Sequence, residues 1–335
     1  MDHNKNIPQN SDLLLSCQFN DIDHFLEYIK PYLDTDAVQL EAGPVQINSQ
    51  FFMMDGVAIS RYGTTKKMFE KFCLPGGSSI ISFTPPGIGC VCCGLATPPD
   101  YVGIIHSGME YSSLLLAGFD TVEVTVSNNL LAEYGLTSED RWHKTKIPEQ
   151  AAFPLPNRRS IRFRNLLYSL FTNQSMLELV QKDRELTVCF REWVIEESLA
   201  IVSTCLTADE PSLRIKKKSR HDIFQNAIRL IDDQLGDSLS TRQLAIKLHS
   251  SPRVLQYAFK ENLGMTPLQY ILIRKLHAAR IAIKNDFPGG QASISDIATL
   301  YNMSHFGRFS LQYKRLFGES PSTTVKRTSP RHDQT

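Results

Sequence analysis

Long apolar runs and secretion signals are missing from this sequence of 335 residues. The apolar run at 112–119 has only the length of a β-strand, well short of the roughly 20 residues that cross a bilayer as a helix. Residues 1–6 lack the charged and then apolar plan of a secretory signal. These absences predict a cytoplasmic protein that has no membrane partner.

Cysteines are present, but without the spacing of a disulfide framework. Their number, seven, is odd and favours free thiols in a reducing cytoplasm. Cys90, Cys92 and Cys93 cluster in a predicted strand, where alternation points Cys93 away from the other two. Because such a strand cannot aim three sulfur atoms at one ion, we expect a core role and no metal site. A thiol- or metal-responsive regulator that uses this cluster stays open as the alternative function.

Common signatures of catalysis are absent as well. The sequence has no Gly-rich phosphate loop and no nucleophile elbow. A metal-dependent barrel enzyme would need several histidines on neighbouring strands, but His106 is the only histidine between His24 and His143. We predict that the chain is not an enzyme and has no cofactor.

Charge is balanced over the whole chain but not along it. The formal net charge is +1, yet residues 216–335 contain 19 Lys and Arg against 9 Asp and Glu. Residues 1–215 contain 17 against 26. A basic C-terminal part favours binding to the phosphate backbone of nucleic acid through the release of counterions. For the charge excess taken alone, an ordinary solvated surface is the alternative.

A nine-residue phrase occurs twice in this basic part. Residues 259–267, FKENLGMTP, return 54 positions later as residues 313–321, YKRLFGESP. Both copies place an aromatic residue, a lysine, a large apolar residue, a glycine, a Thr or Ser and a proline in the same order. This order predicts a helix that ends at the glycine, then a hydroxyl N-cap and a proline in the first turn of the next helix.

The sequence before each copy predicts a shorter helix and a tight turn. The pair Leu244-Ala245 lies 15 residues before the first copy, and Ile297-Ala298 lies 16 before the second. Turns are predicted at 249–251 and 302–304. The residues predicted to be buried in the second helices are Leu255, Ala258 and Phe259, and then Phe306 or Phe309 with Tyr313 and Phe317. Short helix, turn and second helix together predict two helix-turn-helix modules.

In these residues the chain resembles the DNA-binding domain of the AraC/XylS family of transcription regulators. The resemblance covers 222–326 and includes the helix between the modules, where the family pattern is matched by Tyr270, Arg274, Leu276, Ala279 and Arg280. It implies a regulator that binds double-stranded DNA and senses a small molecule, with RNA polymerase and a second copy of the chain as candidate partners. The layout also resembles the branch that includes the ethanolamine-utilisation regulator.

Four residues depart from the family pattern. Asn302 stands where glycine is usual, but asparagine tolerates the left-handed conformation, so the turn is expected to form. His249-Ser250 replaces a common Gly–aliphatic pair in the first turn. Leu311 stands where arginine is frequent, which removes a polar base contact from the second module.

The first half of the chain has the pattern of a β-rich domain. Short apolar or alternating segments, separated by Gly and Pro, predict strands at 38–47, 51–62, 78–83, 89–95, 101–106, 111–117 and 121–126. Many short strands with this spacing favour a small sandwich or an open barrel. Such folds often enclose a ligand cavity, although the fold does not identify the ligand.

The predicted fold class is therefore multidomain α+β. It combines a strand-rich, sandwich or barrel-like N-terminal domain, a helical connector, and an all-α C-terminal domain with two helix-turn-helix modules. The connector either packs within the chain or carries a dimer contact. The predicted boundaries are 1–155 for the sensor, 156–206 for the connector, 207–220 for a linker and 221–328 for the DNA-binding domain, with modules at about 239–263 and 292–317.

The exposed faces of the second helices are the candidate DNA-reading surfaces. In the first module Arg253 would pair with guanine and Gln256 with adenine, each worth roughly 1–3 kcal/mol of discrimination. Tyr257 either joins them or packs against the neighbouring module, and Lys260 is placed for a phosphate.

The second module offers a weaker reading surface. Its comparable residues are His305, Arg308 and Leu311. Leu311 can only make an apolar contact, for example to a thymine methyl group. The two second helices are predicted to enter successive major grooves ~10 bp apart on one face of the duplex.

Overall fold

The structure, a computed structural model, describes residues 13–74, 77–107, 110–133, 151–207, 218–286 and 293–328. The chain divides into two compact units. The first comprises residues 1–37, 46–65 and 70–215, and the second comprises residues 38–45, 66–69 and 216–335. Two short segments of the N-terminal half therefore belong to the same unit as the basic C-terminal part.

Strands within the described residues build two sheets. A seven-stranded antiparallel sheet has the order β1-β3-β4-β11-β6-β9-β12, and a five-stranded sheet has the order β2-β5-β10-β7-β8. The strands are β1 Leu13–Phe19, β2 Asp34–Gln39, β3 Ile47–Met54, β4 Val57–Thr64, β5 Met68–Cys73, β6 Ser78–Phe83, β7 Cys90–Cys92, β8 Leu95–Thr97, β9 Tyr101–His106, β10 Glu110–Leu115, β11 Asp120–Ser127 and β12 Ala151–Pro154.

Helices flank these strands in the first unit. They are α1 Ile22–Ile29, α2 Asn128–Glu133, α3 Arg158–Thr172, α4 Gln174–Lys182 and α5 Arg184–Thr207. Asn157 caps α3 in a capping box with Ser160, which explains why this helix begins before the apolar pattern that starts at Leu166. The dimer contact considered for this region stays a prediction.

Alternation along the strands gives the seven-stranded sheet two different faces. In β11, Val122 and Val124 join a large apolar core that also contains residues of α3, α4 and α5. Glu123 lies between them in sequence and therefore points to the opposite face. On that face residues from both sheets, including Phe72 and Ile105, form a second, smaller core. In the first unit the seven-stranded sheet therefore has the helices on one face and the five-stranded sheet on the other.

The predicted strands at 78–83 and 101–106 are confirmed with the same bounds. The prediction of one strand over 51–62 is wrong, because β3 and β4 form a hairpin that turns at Gly56, where φ is +70°. The segment 38–47 is not a strand throughout either, since β2 ends at Gln39 and β3 begins at Ile47. Strands β1, β5 and β12 had no counterpart in the sequence prediction.

The described part of the second unit is largely helical, with α6 Lys218–Asp233, α7 Thr241–Lys247, α8 Pro252–Leu263, α9 Pro267–Asp286, α10 Ile294–Leu300, α11 Phe306–Phe317 and α12 Pro321–Thr328. Both predicted helix-turn-helix modules are present, as α7–α8 and α10–α11. The linker predicted at 207–220 lies mostly outside the described residues. None of the helices in the described ranges is long and apolar enough to cross a bilayer.

The ends of the paired helices follow the repeated phrase. Gly264 and Gly318 end α8 and α11 in the left-handed conformation, at φ +71° and +77°. The turn residues His249 and Asn302 are also left-handed, at φ +48° and +56°. The expectation that Asn302 supports its turn without glycine is confirmed.

Helix α9 lies between the modules and carries buried charges. The Arg274 guanidinium lies 2.8 Å from the Asp232 carboxylate at the end of α6. One helical turn and a half later, the Arg280 guanidinium lies 2.7 Å from the Glu319 carboxylate, which precedes α12. Thr324 donates to the same carboxylate and lies 2.8 Å from the Tyr313 hydroxyl. One half of α9 is therefore tied to the end of α6, and the other half to the segment between α11 and α12.

Glycine should suit the first turn better than histidine does. A side chain in the left-handed region carries a steric cost that glycine avoids, so His249→Gly should raise the free energy of unfolding by about 0.5–1 kcal/mol. The same substitution at the last residue of α7, Lys247→Gly, should lower it by up to about 1 kcal/mol. Urea unfolding of both variants checks the pair. Equal loss of stability in both would contradict the strain assigned to His249.

Candidate functional site

The exposed face of α8 contains all four residues predicted for the first module. Arg253, Gln256, Tyr257 and Lys260 are exposed. The opposite face of α8, which includes Phe259, is fully buried. The four side chains are exposed because the helical period places the apolar residues of α8 on the other face, against the rest of the module.

Tyr257 contacts Arg253 on the same helix. The Arg253 Nη2 group donates to the Tyr257 hydroxyl over 3.3 Å, and the Arg253 Cζ atom lies 5.6 Å from the centre of the ring. Tyr257 is 47% exposed, so packing against the neighbouring module does not account for it. A cation held on an aromatic face loses less side-chain freedom when it binds a base. Tyr257 therefore orients Arg253.

The N-terminal half of α11 exposes the residues predicted for the second module. His305 lies at the N-cap position without a side-chain capping bond, and Arg308 is exposed on the first turn. Leu311 is 72% exposed. Of the two phenylalanines predicted as core alternatives, Phe309 is buried and Phe306 is exposed.

The C-terminal ends of α8 and α11 are bound by the segments 38–45 and 66–69, which we call the clasp. The Lys67 Nζ group donates to the Leu263 carbonyl at the end of α8 over 2.7 Å. The Gln39 side-chain amide donates to the Leu316 carbonyl of α11 over 2.9 Å, and the Gly43 N–H donates to the Arg315 carbonyl over 3.0 Å. The last carbonyls of a helix have no partner within it, so the clasp satisfies groups that would otherwise need water.

The clasp is also anchored on α9. The Gln39 backbone N–H donates to His277 Nε2 over 3.1 Å. The Phe69 ring packs edge-on against Phe224 and Tyr270, with ring centres 5.7 Å and 6.1 Å apart. Burial lowers the pKa of Lys67, while the charge of Glu41 raises it. Sequence patterns did not identify the clasp, because its partners are helix carbonyls that any sequence provides.

A cavity of about 90 Å³ lies within the first unit. It is lined by Glu70 from β5 and Glu123 from β11, and so by carboxyl groups from both sheets. The Tyr62 side chain, from β4, also lines it, and the Tyr62 hydroxyl is buried with no hydrogen-bond partner among the described residues. Glu123 went unnoticed in the sequence because a polar residue in an alternating strand is usually on the solvent face.

The cavity raises the pKa of both carboxyl groups. Burial, then the charge of Glu123, then Cys92, raise the pKa of Glu70 to about 8. Burial raises the pKa of Glu123, while the hydrogen bond from Ser82, 2.9 Å long, lowers it. Both groups thus hold protons more tightly than an exposed glutamate.

The cysteine cluster borders this cavity. Cys90 and Cys92 line it, whereas Cys93 is buried in the smaller core. Burial raises the pKa of Cys90 to about 12, and hydrogen bonding with Cys93 and Ser113 lowers the pKa of Cys92. Among the described residues, no three His, Cys, Asp or Glu side chains are grouped closely enough to hold a metal ion.

Part of the C-terminal half of the chain matches a known family. Residues 244–327 match a family described as a helix-turn-helix domain. The XylDLEGF operon transcriptional activator 1 of Pseudomonas putida is 32% identical over 194 residues, which are 56% of this chain and 56% of that protein. Activator 2 of the same operon and organism is 36% identical over 102 residues, which are 30% of this chain and 64% of that protein.

One solved structure is similar to part of this chain. It is a transcriptional regulator described as containing an AraC-type DNA-binding domain, from Chromobacterium violaceum, with 25% identity and a TM-score of 0.30. The match covers 33% of this chain and 95% of that one. The chain spans less than two thirds of the length of the two curated relatives. These matches do not confirm the ethanolamine-utilisation branch.

The raised pKa of Glu70 predicts a pH-dependent stability. A carboxyl group that binds its proton more tightly in the folded state contributes stability that is complete below its unfolded pKa of 4.5 and is lost as pH rises through about 8. The titratable groups that face Glu70 in the cavity are Tyr62, Cys90, Cys92, Tyr111 and Glu123. Thermal unfolding of Glu70→Gln should match wild type near about pH 5 and exceed it by roughly 4 °C near about pH 8.5.

The exposed Glu178 on α4 provides the matched control. Glu178→Gln removes the same charge and should leave the pH profile unchanged. A Glu70→Gln profile parallel to wild type over this range would contradict the raised pKa.

Proposed function

We propose, from the AraC/XylS-type helix-turn-helix domain that the C-terminal part of this chain contains, that the protein is a sequence-specific DNA-binding transcription regulator. The observation that carries the proposal is the pair of modules, α7–α8 and α10–α11, each with an exposed polar face on its second helix. The relatives in Pseudomonas putida are named activators, and we extend that direction of regulation to this chain as part of the proposal.

In the proposed complex, α8 is the main reader. Arg253, oriented by Tyr257, donates two hydrogen bonds to a guanine, and Gln256 pairs with an adenine. Lys260 lies one turn further along α8 and binds a phosphate, which positions the helix without reading sequence.

In the same complex α11 contributes fewer base contacts. Arg308 supplies its charged donor group, His305 lies at the start of the helix, and Leu311 packs on a thymine methyl group. The two helices enter successive major grooves ~10 bp apart. The excess of basic residues in 216–335 supports the phosphate contacts of both modules.

The clasp supports control by the N-terminal half. Its two segments continue directly into β2 and β5 of the five-stranded sheet, and they bind the ends of α8 and α11. A change in these strands would move the ends of both reading helices together. We therefore propose that a small molecule in the first unit adjusts DNA binding through the clasp.

Substitutions on α8 separate base reading from phosphate binding. Arg253→Ala should relax the preference at one or two base positions, each by roughly 1–3 kcal/mol, whereas Lys260→Ala should weaken binding to all sequences about equally. Sites are first recovered by genome-wide occupancy of the tagged protein, and affinities are then measured on those sites and on single-base variants. Arg162→Ala, an exposed arginine of α3, is the control and should change neither property. Unchanged binding by both α8 variants would remove α8 as the reader.

Loss of a clasp contact should weaken binding to a full DNA site, which both modules contact, more than binding to a half-site that only α8 contacts. Gln39→Ala removes the bond to the Leu316 carbonyl, so α11 is held less firmly relative to α8. Simultaneous engagement of both grooves depends on that geometry, and affinity for the full site should fall by on the order of tenfold while affinity for an α8 half-site stays the same. Gln46→Ala, at an exposed residue next to the clasp, is the control. Equal losses on both DNAs would show general destabilisation instead.

A further inference from the structure

We propose that the cavity of the first unit binds a small primary ammonium ion with a short aliphatic body, and that this ion is the effector. The second half of this statement rests on the proposed function. The first half concerns Glu70, Glu123 and Tyr62 alone, and binding can be measured whether or not the chain regulates transcription.

Glu70 is the strongest sign of a missing partner. Its side chain is partly buried and lines the cavity, and it forms no hydrogen bond or ion pair with any residue that the structure describes. A carboxyl group removed from water without a partner is costly to the folded state. A ligand that donates hydrogen bonds to this carboxyl group would remove that cost.

Two further acceptors converge on the same space. Ser82 donates to Glu123 Oε1, so the second oxygen of this carboxyl group, which also lines the cavity, can accept from a ligand. The buried Tyr62 hydroxyl has no partner among the described residues. Together with Glu70 these groups come from three strands and both sheets. A primary ammonium group has three N–H donors and a positive charge, which matches three acceptors of which two are carboxyl groups.

The rest of the cavity wall favours an aliphatic body. Phe72, Ile105, Leu115 and Phe119 contribute apolar surface. An engineered apolar cavity of ~150 Å³ binds benzene, so a cavity of about 90 Å³ suits a smaller body of roughly three to five carbon atoms. The ligand would place its ammonium group at the carboxyl pair and its alkyl group against these side chains.

Other ligand classes fit the lining less well. An anion would meet two carboxyl groups, and no lysine or arginine is among the described residues that line the cavity. A metal ion would need more ligands than the described His, Cys, Asp and Glu residues bring together here. A neutral alcohol has one donor for three acceptors and brings no charge.

Binding of the cation is coupled to a proton. Burial and the neighbouring charges of Glu123 and Cys92 keep Glu70 protonated at neutral pH, with Tyr62, Cys90 and Tyr111 as the other titratable groups facing it. When an ammonium ion enters, the Glu70 O–H bond breaks, its proton passes to solvent, and the carboxylate pairs with the cation. Affinity should therefore rise with pH below about 8 and level off above it.

The test uses three probes that share an isobutyl group and differ in charge: isobutylamine, isobutanol and isovalerate. Titration calorimetry on the full chain in two buffers of different ionisation enthalpy measures affinity and proton release together. We expect isobutylammonium to bind with release of about one proton at neutral pH, and to bind on the order of tenfold more weakly or worse to Glu70→Gln. Isobutanol and isovalerate should bind at least about tenfold more weakly than the amine.

Glu178→Gln is the matched control and should bind isobutylammonium like wild type. Circular dichroism serves to check that Glu70→Gln is folded. A second cavity variant, Glu123→Gln, should also weaken binding of isobutylammonium. Equal affinity for the alcohol or the anion, no proton release, no amine binding, or full affinity in both cavity variants would each overturn the assignment.

DNA affinity measured on the same samples separates the two proposals. Specific DNA binding without amine binding would contradict the proposed cation ligand but support the proposed regulator. Amine binding without specific DNA binding would support the cavity assignment but contradict the effector role.

Discussion

The pairing of buried charges along α9 is the constraint on which the second unit depends. Arg274 pairs with Asp232, and Arg280 pairs with Glu319, so one helix holds the end of α6 and the segment before α12 at fixed positions. A buried guanidinium that loses its carboxylate is strongly destabilising, on the order of 3–5 kcal/mol. Such pairs also require one arrangement of the segments that they join, because an apolar contact tolerates a shift of one surface along the other, whereas a buried ion pair does not.

The clasp adds a second set of directional contacts to the same helices. Its bonds go to backbone carbonyls at helix ends, and these groups are available only while α8 and α11 stay folded to their last turn. Two adjacent residues of strand β5 have different surroundings. Phe69 packs against Phe224 and Tyr270, and Glu70, the next residue, lines the cavity. In an extended strand neighbouring side chains point in opposite directions.

The helical modules could be predicted closely from the sequence because their signals are local. Glycine, hydroxyl and proline fall at fixed steps around each helix end, and α8 begins at Pro252 as the pattern indicates. The β-rich half was predicted less well. The hairpin at Gly56 joins two apolar strands through only two residues, and β5 has Glu70 in the middle of its apolar pattern. Pairing between distant strands decides such cases, and a single sequence does not contain that information.

Unlike side chains on α8 and α11 give the proposed complex a direction. The face of α8 has Arg253 and Gln256, whereas that of α11 has Leu311 and also Gly307, around which a β-carbon would meet no atom within 4 Å. A chain with two identical readers could dock on a palindrome in either orientation with equal energy. With unequal readers, the duplex sequence itself sets which way one molecule faces. A single bound copy would then distinguish upstream from downstream without a symmetric partner.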